Sequence, residues 1–128
     1  MEVRSILPAT PLAPSQARTI VRTFEGVLPE PLVDDLAVIV TELSTNVIQH
    51  ASLPSDSTLE LRIRLARPVL RIEIRDEGAG EVPLESAPAE PDVLPESGLG
   101  LVLVRALSSR WSLEKIDGTA AWAEIDLA

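Results

Sequence analysis

The stretch Leu36–Ala51, LAVIVTELSTNVIQHA, governs how the rest of the chain is read. At 3.6 residues per turn, Leu36, Val40, Leu43, Val47 and Ala51 fall on one apolar stripe. Glu42, Asn46 and Gln49 gather on another side, with His50 at the border of the stripe. Residues four apart in a helix stand one turn above each other, so the Glu42 carboxylate and the Asn46 amide point at one place. A carboxylate beside an amide oxygen, on a helix whose back is core, can hold a hard cation and steer a proton. Taken alone, the same pattern fits a solvated polar face better than a site.

Composition narrows the choice. The 128 residues are 45% hydrophobic, which suits a single domain over residues 1–128 with a modest core. Phe24, Trp111 and Trp122 are the only aromatic residues, so the core must be aliphatic. The absence of cysteine excludes disulfides and thiolate metal sites. No apolar run is long enough to span a bilayer, and MEVRSILPAT does not read as a signal peptide, so a cytoplasmic location is expected. A net charge of −9, with Lys115 the only lysine, argues against nucleic acid as the main partner.

Around the central stretch, Glu2–Leu7 reads as a short strand and Ser15–Glu25 as a helix. Ala17, Ile20, Val21 and Phe24 face inward on that helix, and Arg18 and Arg22 outward. Pro31 suits the first turn of the central helix. LELRIRLA and VLRIEIRD alternate apolar with charged residues on either side of Arg67-Pro68. They predict an antiparallel hairpin with one solvated face. Asp76 continues the inward parity of Leu70, Ile72 and Ile74, and an inward carboxylate needs a partner. Residues 77–97 hold four prolines and six acids without a base, a composition unable to form its own core. A helical run through LVLVRALSSR follows, then strands at Trp111–Ile116 and Ala120–Leu127 joined at Asp117-Gly118. Ala121, Ala123, Ile125 and Leu127 point in, and Trp122, Glu124 and Asp126 point out.

Two glycine pairs complete the pattern. Gly98 and Gly100 at a helix start leave backbone N–H groups available for an anion. No Gly-Lys-Ser/Thr follows, and Leu103 stands where a dinucleotide fingerprint needs a small residue. Gly78 and Gly80 fit a flexible turn as well as a site.

Glu42-Leu-Ser-Thr-Asn46-Val-Ile-Gln-His50-Ala51 resembles the N-box of the GHKL (Bergerat-fold) ATPases and kinases. Asp76-Glu-Gly78-Ala-Gly80 resembles their G1 box, and Gly98-Leu99-Gly100-Leu101 their G2 box. Size and ending are similar to the branch of anti-sigma factors that are serine-protein kinases. The resemblance implies ATP and Mg²⁺ as cofactors. Asp76 would bind the adenine amino group with Thr119 in support, and Gly78 and Gly80 would pass close to the base. Asn46 would hold Mg²⁺, with Glu42 as the catalytic base, and Gly98 through Leu101 would meet the phosphates. His50 matches the N-box, though as a residue it also fits simple packing. Residues 77–97 would form the ATP lid, and its six acids leave the neutralising of phosphate to the cation and the helix terminus.

The resulting expectation is an α/β (α+β) two-layer sandwich, with a mixed, mostly antiparallel sheet of four or five strands and three helices on one face. The expected function is ATP-dependent phosphorylation of a serine or threonine on a STAS-type anti-sigma-factor antagonist, together with sequestration of a sigma factor. A homodimer is among the expected assemblies. The alternative is a non-catalytic ATP-binding module that acts by protein binding only. A histidine kinase needs a phospho-accepting His on a dimerisation helix, and the one His here lies in the N-box.

Overall fold

The two alternating runs form the middle of the sheet, as strands β2 (Thr58–Ala66) and β3 (Val69–Asp76), paired antiparallel with Leu61 opposite Ile74 and Ile63 opposite Ile72. The computed structural model describes residues 1–50, 56–76, 99–114 and 118–127. The remaining elements are β1 (Glu2–Pro8), α1 (Ala13–Arg22), α2 (Glu30–His50), α3 (Leu99–Leu107), β4 (Arg110–Glu114) and β5 (Ala120–Asp126). Strand order is β1-β2-β3-β5-β4, and all four pairings are antiparallel. Residues 77–97, expected as a lid, lie outside the described residues, as do Gly78, Gly80, Gly98, Ala51 and Asp117.

Register sets one face for the core. Leu59, Leu61, Ile63, Leu70, Ile72, Ile74, Ala121 and Ala123 share it and are buried. Leu36, Val40, Leu43 and Val47 of α2 are wholly buried against this face, so the 3.6-residue stripe meets the two-residue alternation of the strands. The short side chains of Ala121 and Ala123 let α2 sit close to β5. Helix α1 packs along α2, and α3 lies beside α2 and against β4. None of the described helices is long and apolar enough to cross a membrane.

Three boundaries differ from expectation for local reasons. Helix α1 starts at Ala13 because Pro14 fits a first turn, where its missing N–H is not needed. It ends at Arg22, ahead of Gly26, whose φ of 84° takes the chain out of helical geometry. Helix α3 ends at Leu107 instead of running through Arg110. Ser108 turns its hydroxyl back to the Val104 carbonyl, and the Ser109 N–H donates to the Glu124 carbonyl, which draws the chain into β4.

The opposite face of the sheet corrects a second expectation. Parity places Arg62, Arg71, Glu73 and Trp122 there, as read from the sequence, and Ser112 joins them opposite Trp122, yet Arg71, Glu73 and Trp122 are buried, Trp122 completely. The Arg71 guanidinium lies over the Trp122 ring, 4.4 Å from its centroid, and donates from Nη1 to Glu124 at 3.0 Å. Arg110 reaches Glu124 and Asp126 from the next strand. Alternation reports which side a residue takes, whereas long side chains lying flat on one another decide whether water reaches it.

Burial pushes the Glu73 carboxyl above its ordinary range, against the pull of Arg71, Arg62 and Arg75. Protonation therefore favours the folded state. The contribution is fully present below the ordinary carboxylate range and is lost as pH rises through the raised folded value. Glu73→Gln keeps the shape without the charge. Its stability relative to wild type should rise between pH 4 and pH 7, as measured by urea denaturation at both values. A constant difference would show that burial of the charge carries no cost.

Candidate functional site

The N-box side chains grow out of the middle of α2. Thr41, Ser44 and Thr45 turn their hydroxyls back to the carbonyls of Ala37, Val40 and Thr41, at 2.8, 2.6 and 2.7 Å. Asn46 follows the same habit, donating from Nδ2 to the Glu42 carbonyl at 2.7 Å. A carbonyl only accepts, so the amide nitrogen must face it and Oδ1 must face away. Asn46 is 3% exposed, and its Oδ1 is buried without a hydrogen-bond partner. An orphaned amide oxygen in such a place costs about 1–3 kcal/mol unless something occupies it. The Glu42 side chain, one turn earlier, is half-buried.

This donor set fits a magnesium ion. Mg²⁺ takes hard oxygen ligands and is usually bound through one or two protein groups plus substrate phosphates. Asn46 Oδ1 is such an oxygen. Among the described residues no group of three or more His, Cys, Asp or Glu comes together, so a cation here would share its remaining positions with phosphate and water.

On the facing sheet, Asp76 closes β3 at 3% exposure. Its Oδ2 accepts the Thr119 N–H at 2.8 Å, and its own N–H donates to the Thr119 carbonyl at 3.0 Å. The inward carboxylate thus has the partner its parity demanded. Thr119 was expected to support it, and does so with its backbone. The sequence contains no signal for that, because any non-proline residue offers the same N–H.

Leu99 and Gly100 form the first turn of α3, at the place expected for a phosphate-binding helix terminus. Leu101, also expected at the nucleotide, sends its side chain wholly into the core. His50 closes α2, and its side chain lies outside the described residues, like the glycines at 78, 80 and 98.

One contributor was missed. Arg18 was expected to face outward, but it is half-buried and donates from Nη1 to the Thr41 hydroxyl at 2.9 Å. A guanidinium therefore stands beside the residue preceding Glu42. Its position on α1 gave no sign of this, since the crossing of two helices is invisible in either one.

A family model described as "Histidine kinase-like ATPase domain" matches residues 7–124. No curated protein matches the chain. Among solved structures, the chain is similar to the histidine kinase domain of the blue-light activated histidine kinase EL346 from Erythrobacter litoralis. The TM-score is 0.58 and the identity 20%, over 90% of this chain. The chain spans 61% of that protein's chain, and the likeness is one of fold.

The clasp at Asp76 makes a separable prediction. Asp76→Ala strands a buried N–H and should cost about 1–3 kcal/mol in chemical denaturation. Asp76→Asn keeps an oxygen facing Thr119 and should retain most of the stability. Equal losses would show that the charge, and not the hydrogen bond, holds the two strands together.

Proposed function

The chain belongs to the histidine kinase-like ATPase family, and on that premise we propose that this ATP-binding GHKL-type domain is a protein serine/threonine kinase with Mg-ATP as phosphoryl donor. The observation that carries the reading is the pairing, within one turn of α2, of the half-buried Glu42 with Asn46, whose buried Oδ1 lacks a partner. An amide oxygen suits the metal in the ground state. A carboxylate one turn away suits the removal of a hydroxyl proton when an acceptor attacks. Asp76, already fixed by Thr119, is the group that would read the adenine amino group. The acceptor would be a hydroxyl of another protein.

By resemblance to the anti-sigma-factor branch, the acceptor would be a serine or threonine of a STAS-type antagonist, and a sigma factor would be the second partner. The alternative reading is an ATP-dependent binding module without catalysis. It is favoured by the six acids between residues 77 and 97, which oppose tight binding of a triphosphate.

The two readings part at α2. Mg-ATP at a hundredfold excess over its dissociation constant should stabilise the protein by about 2.7 kcal/mol. Asn46→Ala should weaken both this stabilisation and turnover. Glu42→Ala should keep most nucleotide affinity and lower phosphotransfer by roughly 10²–10⁴-fold. Calorimetric titration and a transfer assay with a partner recovered by pull-down measure the two effects. Transfer that survives Glu42→Ala would remove Glu42 from the role of base. ATP and partner binding without any transfer in wild type would leave the binding module.

A further inference from the structure

Two arginines of α1 reach across to α2 at different heights. Arg22 Nη1 meets Asp34 Oδ1 at 2.7 Å, in an exposed ion pair near the start of α2. Arg18 Nη1, one turn earlier on α1, donates to the Thr41 hydroxyl at 2.9 Å, further along α2. The first contact joins two exposed opposite charges, and such pairs contribute little. The second is less ordinary. Among the described residues Arg18 makes no ion pair, so a half-buried guanidinium faces a neutral hydroxyl.

That hydroxyl heads a chain of side-chain bonds. Having accepted from Arg18, Thr41 Oγ1 sends its own proton to the Ala37 carbonyl at 2.8 Å. The Thr41 carbonyl takes the hydroxyls of Ser44 at 3.1 Å and Thr45 at 2.7 Å, and the Glu42 carbonyl takes Asn46 Nδ2 at 2.7 Å. Each of these carbonyls is also the acceptor of a helical N–H four residues on. A carbonyl oxygen has two lone pairs, so at Thr41 three donors compete for them. Side-chain bonds of this kind weaken and bend a helix. The turn that presents Glu42 and Asn46 is therefore one whose backbone ladder is contested.

The stripe of Leu36, Val40, Leu43 and Val47 fixes the rotation of α2 but offers this turn no hydrogen bond. Among the described residues, Arg18 is the group outside α2 that does. We propose that Arg18 is a positioning residue of the nucleotide site, holding through Thr41 the turn that carries Glu42 and Asn46. Residues 41 and 42 stand about 100° apart around a helix, so the guanidinium acts through Thr41 and the backbone, without touching substrate. Fixed between Arg18 and Ala37, the Thr41 hydroxyl steadies the place from which Asn46 Oδ1 would meet the cation. The role rests on α2 being the nucleotide helix, and nucleotide binding reads it without any phosphotransfer.

A double-mutant cycle tests it. Arg18→Met keeps the aliphatic stem and removes the donors, and Thr41→Val keeps the shape and removes the hydroxyl. In calorimetric titration of the full chain with Mg-ATP, each should weaken affinity by about two- to tenfold, the span of one hydrogen bond. The double variant should bind no more weakly than the weaker single one, and Thr41→Ser should restore wild-type affinity. Arg22→Met, which breaks the other contact between the helices, should leave affinity unchanged. Hydrogen exchange at the amides of residues 44–47 should quicken in Arg18→Met and Thr41→Val, and not in Arg22→Met. Wild-type affinity in Thr41→Val, or losses that add in the double variant, would overturn the role. So would an equal loss in Arg22→Met, which would make the Arg18 contact a general clamp between two helices. A wild type that binds Mg-ATP and never transfers phosphate would remove the kinase reading and leave these binding results standing.

Discussion

The packing of α2 on the sheet is the constraint from which the other parts follow. Leu36, Val40, Leu43 and Val47 have no solvent exposure and are buried with Ile72, Ile74, Ala121 and Ala123 in one core. Residues wholly buried on one side of a helix fix its rotation about its own axis, since turning it by one position would send a carboxylate or an amide into aliphatic core. That rotation puts Asn46 at the margin of the core, buried with its Oδ1 unpaired, and close enough to the surface for Glu42 to stay half-exposed. In a chain with three aromatic residues, such precision comes from many branched aliphatic contacts and not from one large anchor.

Much of this was legible in the residues. The 3.6-residue stripe gave α2, strand alternation gave the hairpin and its faces, and the parity of Asp76 predicted a partnered carboxylate. The unread parts share a physical cause. On its own stretch Asn46 fitted a solvated face better than a site, because spacing gives direction but not depth. Arg71, Glu73 and Trp122 were placed on the correct side and wrongly exposed to water, since cover depends on how neighbouring strands lay their side chains. Arg18 was assigned outward, although outward on α1 turns out to mean toward Thr41 of α2. Thr119 acts through its backbone, which no residue type encodes.

The sheet therefore separates two kinds of chemistry by a single layer of backbone. Its inner face is aliphatic and ends in one carboxylate at Asp76. Its outer face is a lattice of arginines and acids around Trp122. Alternation allows this, because successive side chains of one strand belong to different environments. Changes on one face can accumulate without disturbing the other, provided that β3 keeps its register between β2 and β5.

The clasp between Asp76 and Thr119 joins residues 43 positions apart in sequence through adjacent backbones. Helix α3 and strand β4 lie between them in the chain, and the clasp fixes where β5 begins beside the end of β3. Lengthening a surface connection costs little, about 0.6 kcal/mol for each doubling of a flexible loop. Four prolines and six acids between residues 77 and 97 give that stretch no core of its own to preserve, so its length and composition can change while the carboxylate stays in register. Related chains can differ most in the segment next to their most constrained acid, and a new specificity can be acquired there by insertion without refolding the scaffold.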